Sequence, residues 1–410
     1  MSGRAGAKAV NWRGYTIVSL LGIVAVIIVA TITKVWVLTA IPIGFLFGFF
    51  LEKADLCGSS AFSEAFMMKD WHKLGGIWVV IVTSMLGFSL LAGIGWIHLN
   101  PKPLIWANYI VGGILFGIGI VLAGGCVSGC LFKTGKGNIN SIAGLIGIPI
   151  GVTAVAYGPL NGFAKGLRQY AVKAADGSSV TLSTLTQIPY WLLAIILAVI
   201  TLIAAFILKK RRRASGTISF KQNDKPVIKR ILTGRWKPWQ AGIAIGILAC
   251  FAYLSSASSG RNYPLGVTHG VMDVQVLLTD YPVKHIWQKK KPVEQNVSKS
   301  ADSLPIDEPK KDIVWWLVLL VMALVIGSHI SARISGKFNF MPRAPDEIVI
   351  AFFGGIILGI GATIASGCIV GNIMSGVALM SVGNILFAGV VLLSNWLTTY
   401  IYMMGGQRGQ

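Results

Sequence analysis

The sequence predicts an all-α polytopic membrane protein with about 9–10 transmembrane helices plus short re-entrant helices, arranged as two pseudo-symmetric, inverted halves. Three observations carry this. Apolar residues make up 54% of the 410-residue chain and charged residues only 12%, with a mean hydropathy of +0.70. A soluble domain carries about 25% charge, so a soluble enzyme and a disordered chain are both excluded. The second observation is a series of ten apolar segments. They lie at 15–33, 35–51, 74–97, 105–125, 139–158, 188–208, 238–254, 313–331, 348–366 and 380–403. The third is an internal repeat, described below.

Each segment has the length of a membrane span, about 20 residues. The first follows Arg4, Lys8 and Arg13, and no small-residue cleavage pattern comes after it, so it reads as a span and not a signal peptide. The segments at 35–51 and 105–125 are short or Gly-rich and read as broken or re-entrant. Residues 209–237 form a basic linker with 11 Lys/Arg, opening on Lys209-Lys210-Arg211-Arg212-Arg213. Residues 255–312 form a polar loop with 8 Lys/Arg and 7 Asp/Glu. The chain thus divides into a first membrane half at 15–208, the linker, and a second half at 238–404 that the loop interrupts.

The net charge of +21 would suggest nucleic acid in a soluble protein. Here the surplus clusters beside apolar runs, as the excess of Lys/Arg in cytoplasmic loops requires. No nucleic acid is expected. Six crossings before Lys209 place it and the N-terminus in the cytoplasm, and four more return the C-terminus there, near Arg408.

The repeat is the strongest signal. Residues 112–129 read GGILFGIGIVLAGGCVSG and residues 354–371 read GGIILGIGATIASGCIVG, with 10 of 18 positions identical. This aligns Cys126 with Cys368. A fainter copy at 44–60, GFLFGFFLEKADLCGSS, places Cys57 on Cys126. The stretch around 242–270 is too degenerate to count as a copy. The crossing count runs 105–125 and 348–366 in opposite directions, as inverted repeats require, and such repeats place their site near the midplane on broken helices.

The glycines at the element starts, Gly113-xxx-Gly117 and Gly355-xxx-Gly359, read as close-packing faces. Gly125, Gly367 and Gly58 touch the cysteines and are expected to allow a break in the helix. A break would present backbone N–H groups to an anion. Cys57, Cys126 and Cys368 are therefore the candidate substrate-path residues. Cys250 and Cys130 read as structural; Asn372 holds the place of Cys130 in the later copy. Three thiols in one narrow path suit a soft, sulfur-bearing anion, because a thiol is a weak donor and a polarizable acceptor. Weak successive sites favour passage over trapping.

Other signals are weaker. Glu52, Lys53, Asp55, Glu64, Lys69, Asp70, His72 and Lys73 around Cys57 read as an interfacial loop or a vestibule. His269 and Asp273, four apart, are a bare proton- or metal-binding pair. GIGIVLAGG lacks the third glycine of a dinucleotide loop. In GCLFKTGKGN, Cys130 and Gly137 stand where a P-loop needs Gly and Ser/Thr. Neither binds a nucleotide; no metal and no organic cofactor is indicated.

At FGFFLEKADLCGSS, GGILFGIGIVLAGGCVSG and GGIILGIGATIASGCIVGNIMSG the chain resembles the YeeE/YedE family of sulfur-transport membrane proteins. The resemblance implies an inward-pinched helical fold in a bacterial inner membrane, with short helices meeting at the centre. It implies thiosulfate uptake, with Cys57, Cys126 and Cys368 handing the anion on by weak S–H···S contacts and no enzymatic step. A branch of the family linked to selenium compounds supplies the alternative substrate. Some members work beside a separate small sulfur-carrier protein. Rival readings are a membrane sulfurtransferase or redox protein, and a purely structural subunit whose cysteines tolerate alanine.

Overall fold

The computed structural model describes residues 12–172, 174, 177–214, 231–278, 284–286, 312–340 and 344–405. Arg4, Lys8, Arg408, most of the 209–237 linker and most of the 255–312 loop lie outside them. Among the described residues, ten helical stretches are long and apolar enough to cross a membrane. This is a multi-pass, all-helical membrane protein.

In chain order the helices are α1 (Trp12–Thr33), α2 (Ala40–Ala54), α3 (Gly58–Met67), α4 (His72–Gly93), α5 (Trp106–Leu122), α6 (Val127–Gly135) and α7 (Ile139–Ala156). Then come α8 (Asn161–Arg168), α9 (Leu182–Thr186), α10 (Tyr190–Ala214), α11 (Pro238–Ser258), α12 (Thr268–Leu278) and α13 (Trp315–Ile334). The chain closes with α14 (Pro345–Ile364), a π-helix π1 (Ile369–Val377) and α15 (Val382–Gly405). Local chemistry sets many of these ends. Pro238 and Pro345 occupy first turns, where no N–H is needed. Asp346 and Glu347 add negative charge at the start of α14, against the positive end of its dipole. The side chain of Asn138 accepts from Ser141 N at the start of α7.

Two expectations shift. Residues 209–214, read as linker, continue α10; the apolar run stops at Leu208, but backbone pairing does not. The region read as a polar loop from 255 holds the end of α11 and the whole of α12. Its few apolar positions are enough to pack a short helix against α13.

Helix packing obeys one pattern. α5 and α14 cross antiparallel: Gly112 abuts Ala365, Gly119 abuts Leu358, and Gly354 abuts Ala123. α2 runs parallel to α13 through Gly44 on Leu320 and Gly48 on Leu324. α11 runs parallel to α4 through Gly76 on Pro238 and Gly246 on Thr83. α5 runs parallel to α15 through Gly113 on Val390 and Gly117 on Ser394, while α14 runs parallel to α7 through Gly355 on Gly144 and Gly359 on Ile148. One rotation relates all of these. It exchanges α2 with α11, α4 with α13, α5 with α14 and α7 with α15, turning each contact into another of the set. Because α5 and α14 are antiparallel, that rotation lies in the membrane plane and the symmetry is inverted. The small-xxx-small glycines do the packing expected of them. Without a side chain, backbones approach closely enough for dispersion contacts where water exclusion drives nothing.

The symmetry also supplies the copy that the sequence hides. α11 and α12 stand where α2 and α3 stand, but nine residues, 259–267, join them instead of three. That insertion displaces every motif position, so the element is invisible to alignment.

The helix ends fall into two sets. One end gathers Glu52, Lys53, Lys73, Lys136, Trp236 and Ser335. There Lys53 Nζ donates to Ser335 Oγ at 2.5 Å, and Trp236 N donates to Lys53 O at 3.0 Å. This is the linker end. The other gathers Thr39, Lys102, Arg261, Trp316 and Ser381; Ser381 Oγ donates to Lys102 O at 2.9 Å. This is the loop end. Short strands Leu104–Ile105 and Ala171–Val172 pair antiparallel there.

Candidate functional site

Each Gly-Cys element folds as a long helix, a break and a short helix. The cysteine is the residue that caps the short helix: Cys57 before α3, Cys126 before α6, Cys368 before π1. All three backbones are extended at the cysteine. Its carbonyl then accepts the first helical bond: from Ala61 N at 2.9 Å, Cys130 N at 2.7 Å and Asn372 N at 2.7 Å. Each thiol thus stands at a helix N-terminus, where unpaired N–H groups carry partial positive charge.

The break is made earlier than the sequence suggested, by one residue at Gly125 and Gly367 and by three at Gly58. The left-handed residue is Asp55 (φ 51°), Gly124 (φ 67°) or Ser366 (φ 55°), the same position in all three copies. Gly58, Gly125 and Gly367 do not carry the turn. They are required for room. A side chain at position 58 would strike Ile369, and one at 367 would lie 2.5 Å from Asn372 Oδ1 and 3.0 Å from Lys102 Nζ. A Cβ at 125 would sit 3.2 Å from Cys130 N. Spacing singles out these glycines, but that they serve for room and not for the turn is a tertiary fact.

Two of the thiols meet. Cys57 and Cys126 are buried and flank Gly129, whose missing side chain leaves them space: a Cβ there would lie 2.5 Å from Cys57 Sγ and 3.4 Å from Cys126 Sγ. Cys126 Sγ is 3.3 Å from Ser128 Oγ. Cys368 is separate. It opens toward a cavity of about 370 Å³ at the loop end, lined by Lys102, Arg261, Tyr263, His269 and Asp273 among others. Ile369, beside Cys368, packs onto Gly58, beside Cys57. One isoleucine side chain thus stands between the outer thiol and the inner pair.

Cys130 and Asn372 have matching structural duties. Cys130 Sγ donates weakly to Gly125 O at 3.6 Å, and Asn372 Nδ2 donates to Gly367 O at 3.2 Å and Ala365 O at 3.0 Å. Both close the carbonyls left open by the break. Cys250 donates to Gly246 O at 3.4 Å and packs on Gly87.

The cations at the breaks were not legible in the sequence. Lys133 Nζ donates to Gly124 O at 2.6 Å, and Lys102 Nζ donates to Ser366 O at 2.5 Å. Gly124 and Ser366 are equivalent repeat positions, so these two breaks hold an ammonium on the same carbonyl. Lys102 also donates to Asn372 Oδ1 at 2.7 Å and lies 5.1 Å over the Tyr263 ring. Arg261 lies over the rings of Trp316 at 5.1 Å and Tyr263 at 5.6 Å, and donates to Pro264 O at 2.9 Å. Among the described residues neither Lys102 nor Arg261 forms an ion pair with a carboxylate. Burial, with Arg261 adding, lowers the Lys102 pKa to about 7. Burial pushes Asp273 up to about 7, although Val314 N bonds its carboxylate at 3.3 Å. His269 faces the cavity, and burial followed by Lys102 and Arg261 holds its pKa near 4. The cavity is therefore a cationic bowl with one soft thiol at its base. The His269–Asp273 pair belongs to this bowl; among the described residues no group of three or more His, Cys, Asp or Glu gathers to hold a metal.

At the inner break carboxylates pair with a cation: Lys73 Nζ lies 2.6 Å from Glu64 Oε1 and 3.3 Å from Asp55 Oδ2.

Known proteins resemble this chain over most of its length. The thiosulfate transporter TsuA of Spirochaeta thermophila is 26% identical over 373 residues, covering 88% of this chain and 98% of that protein. Its counterpart in Escherichia coli K12, also named thiosulfate transporter TsuA, is 25% identical, covering 91% and 96%. The Escherichia coli protein named "Probable transporter YedE" is 34% identical over 120 residues, or 29% of each chain. The pattern of the family described as Sulphur transport matches residues 53–397, which takes in all three Gly-Cys elements from Lys53 onward; the chain belongs to that sulphur transport family, the YeeE/YedE proteins.

Proposed function

We propose that this chain imports thiosulfate across a bacterial inner membrane, the linker end in the cytoplasm, with Cys368, then Cys126 and Cys57, touching the anion in turn. The observation that carries the reading is the convergence of a thiol, a helix N-terminus and a lysine at the Cys126 and Cys368 breaks. A sulfur oxyanion carries charge on oxygen and a soft terminal sulfur. The ammonium and the N–H groups suit the oxygens, and the thiol offers the sulfur a weak, polarizable contact. None of these contacts is covalent, so the reading requires no enzymatic step. Gly58, Gly125 and Gly367 would let the anion approach the broken ends. The orientation follows from the Lys/Arg excess of the linker.

Thiosulfate is favoured over a selenium species by coverage. Two relatives named for thiosulfate align along nearly their whole length, whereas the YedE likeness spans under a third of each chain. A separate small sulfur-carrier protein would receive the anion at the cytoplasmic mouth. The test is uptake of sulfur-labelled thiosulfate in cells stripped of their own importers, with sulfate and selenite as competitors. Cys126→Ala and Cys368→Ala should each lose most uptake at normal membrane levels. Unchanged uptake in both would reduce the thiols to packing residues, and competition by selenite alone would move the substrate to selenium.

A further inference from the structure

The symmetry that exchanges the two halves also pairs their thiol positions, and one pairing is unequal. The 242-residue offset sets Cys126 on Cys368 and Gly129 on Gly371. Cys57, the residue before α3, corresponds to Val267, the residue before α12. Each carbonyl accepts the first bond of its helix: Cys57 O from Ala61 N at 2.9 Å, Val267 O from Val271 N at 3.1 Å. Gly129 abuts Cys57, and Gly371 faces Gly266, the neighbour of Val267. The inner station therefore holds two thiols. The outer one holds a single thiol and a buried valine that lines the cavity.

The cations run the other way. The inner link 55–57 carries no Lys or Arg, whereas the longer link 259–267 brings Arg261 to the outer cavity. Arg261 is held by the rings of Trp316 and Tyr263 and by Nη1, which donates to Tyr263 O at 3.3 Å and Pro264 O at 2.9 Å. Among the described residues its Nε and Nη2 donate to nothing. Nη2 lies where a Cβ on Gly266 would come within 2.9 Å of it. Thr268, beside it in the cavity wall, is buried with its hydroxyl unpartnered among the described residues. Lys102 adds a second cation.

We propose that the protein selects its substrate twice: the outer cavity takes any small tetrahedral dianion, sulfate as well as thiosulfate, through Arg261 and Lys102, and the Cys57–Cys126 pair passes only an anion that ends in sulfur. This rests on the thiosulfate reading and divides its selectivity between the two stations. Guanidinium and ammonium groups bind oxyanion oxygens by charge-assisted hydrogen bonds, and both anions offer the same charge and at least three such oxygens. Two thiols offer little to oxygen, because S–H is a weak donor. A sulfate oxygen placed between them gives up its water without an equal replacement, which costs free energy. A terminal sulfur holds water less tightly and finds two polarizable partners there. Sulfate therefore binds outside and goes no further.

The experiment uses the purified full chain in liposomes. It measures uptake of labelled thiosulfate, uptake of labelled sulfate, and inhibition of the first by unlabelled sulfate. In the unaltered protein sulfate should inhibit competitively, with an inhibition constant within about tenfold of the thiosulfate KM, since the same donors hold both. Sulfate itself should enter at under about a tenth of the thiosulfate rate. Arg261→Gln should raise the thiosulfate KM and the sulfate inhibition constant together, each about tenfold. Cys57→Ser puts a stronger donor in the inner pair and should lower the ratio of thiosulfate to sulfate uptake at least about threefold. Failure of sulfate to inhibit the unaltered protein, or entry of sulfate as fast as thiosulfate, overturns the proposal while thiosulfate transport stands, and neither reading depends on a variant folding. An Arg261→Gln protein that changes one constant without the other, or an unchanged ratio in Cys57→Ser, overturns it as well. Absence of thiosulfate uptake by the unaltered protein overturns the substrate reading first, and this proposal with it.

Discussion

The inner and outer breaks are the same local structure in different electrostatic settings. Both have a left-handed residue, a small residue, a cysteine at a helix start and a lysine on the exposed carbonyl. At the outer break Asn372 replaces Cys130, and two cations face a cavity whose one carboxylate, Asp273, is pushed up to about 7. At the inner break two thiols flank Gly129 and carboxylates pair with Lys73. The difference teaches that one fold element can serve capture on one side and release on the other. Backbone geometry supplies the N–H groups at both, and the side chains around it set how strongly an anion is held.

The largest expected effect concerns capture. Lys102→Met should raise the apparent KM for external thiosulfate at least about tenfold, because an ammonium–oxyanion bond is among the stronger hydrogen bonds. Vmax should change little. Initial uptake rates across a concentration series check this, and a Vmax defect with normal KM would break the assignment of capture to the outer side.

The pH dependence follows from the same lysine. Lys102 has its pKa lowered to about 7 by burial, so it is protonated below that pH and neutral above it. Affinity for an external anion should therefore weaken as pH rises from about 6 to about 9, and a bound anion would move the midpoint upward. In Lys102→Arg the charge persists throughout, because arginine titrates above about 12. Its profile over the same range should be shallower, the remaining slope coming from ionisation of Asp273 in the same cavity; an identical slope in both proteins would place the titration elsewhere.

A smaller effect comes from making the outer break resemble the inner one. Asn372→Cys removes two amide hydrogen bonds to Ala365 O and Gly367 O and the acceptor for Lys102. A loss of about 1–3 kcal/mol is expected from the stranded buried carbonyls. Thermal unfolding in detergent should show it as a lower midpoint, and an unchanged midpoint would mean that the amide bonds hold nothing at this break.

The smallest effect is Ser366→Gly. Serine holds a left-handed backbone at φ 55°, where glycine carries no Cβ penalty. The change should stabilise by under about 1 kcal/mol and leave uptake intact. Marked destabilisation would show that the Ser366 side chain is needed at the break.

Much of this was legible from local patterns. Hydropathy reports burial in lipid directly, so the ten spans and the class of protein follow from runs of apolar residues. The small-residue faces at Gly113 and Gly355 read correctly because close approach needs glycine whatever the partner. Cys126 and Cys368 stood out because repetition singles out positions. The break dihedrals at Asp55 and Ser366 did not stand out, since neither residue signals a left-handed turn by type.

The sequence by itself determined that this is a repeated, broken-helix membrane protein and where its thiols lie, because these depend on neighbours along the chain. The tertiary structure alone decided which thiols meet, that α11 and α12 complete the symmetry, and that Lys102, Lys133 and Arg261 serve the breaks. A lysine in a loop ahead of α5 reads as a solvated charge. Only the antiparallel crossing of α5 and α14 brings it against Ser366, 264 residues away, where it becomes a buried cation beside a thiol.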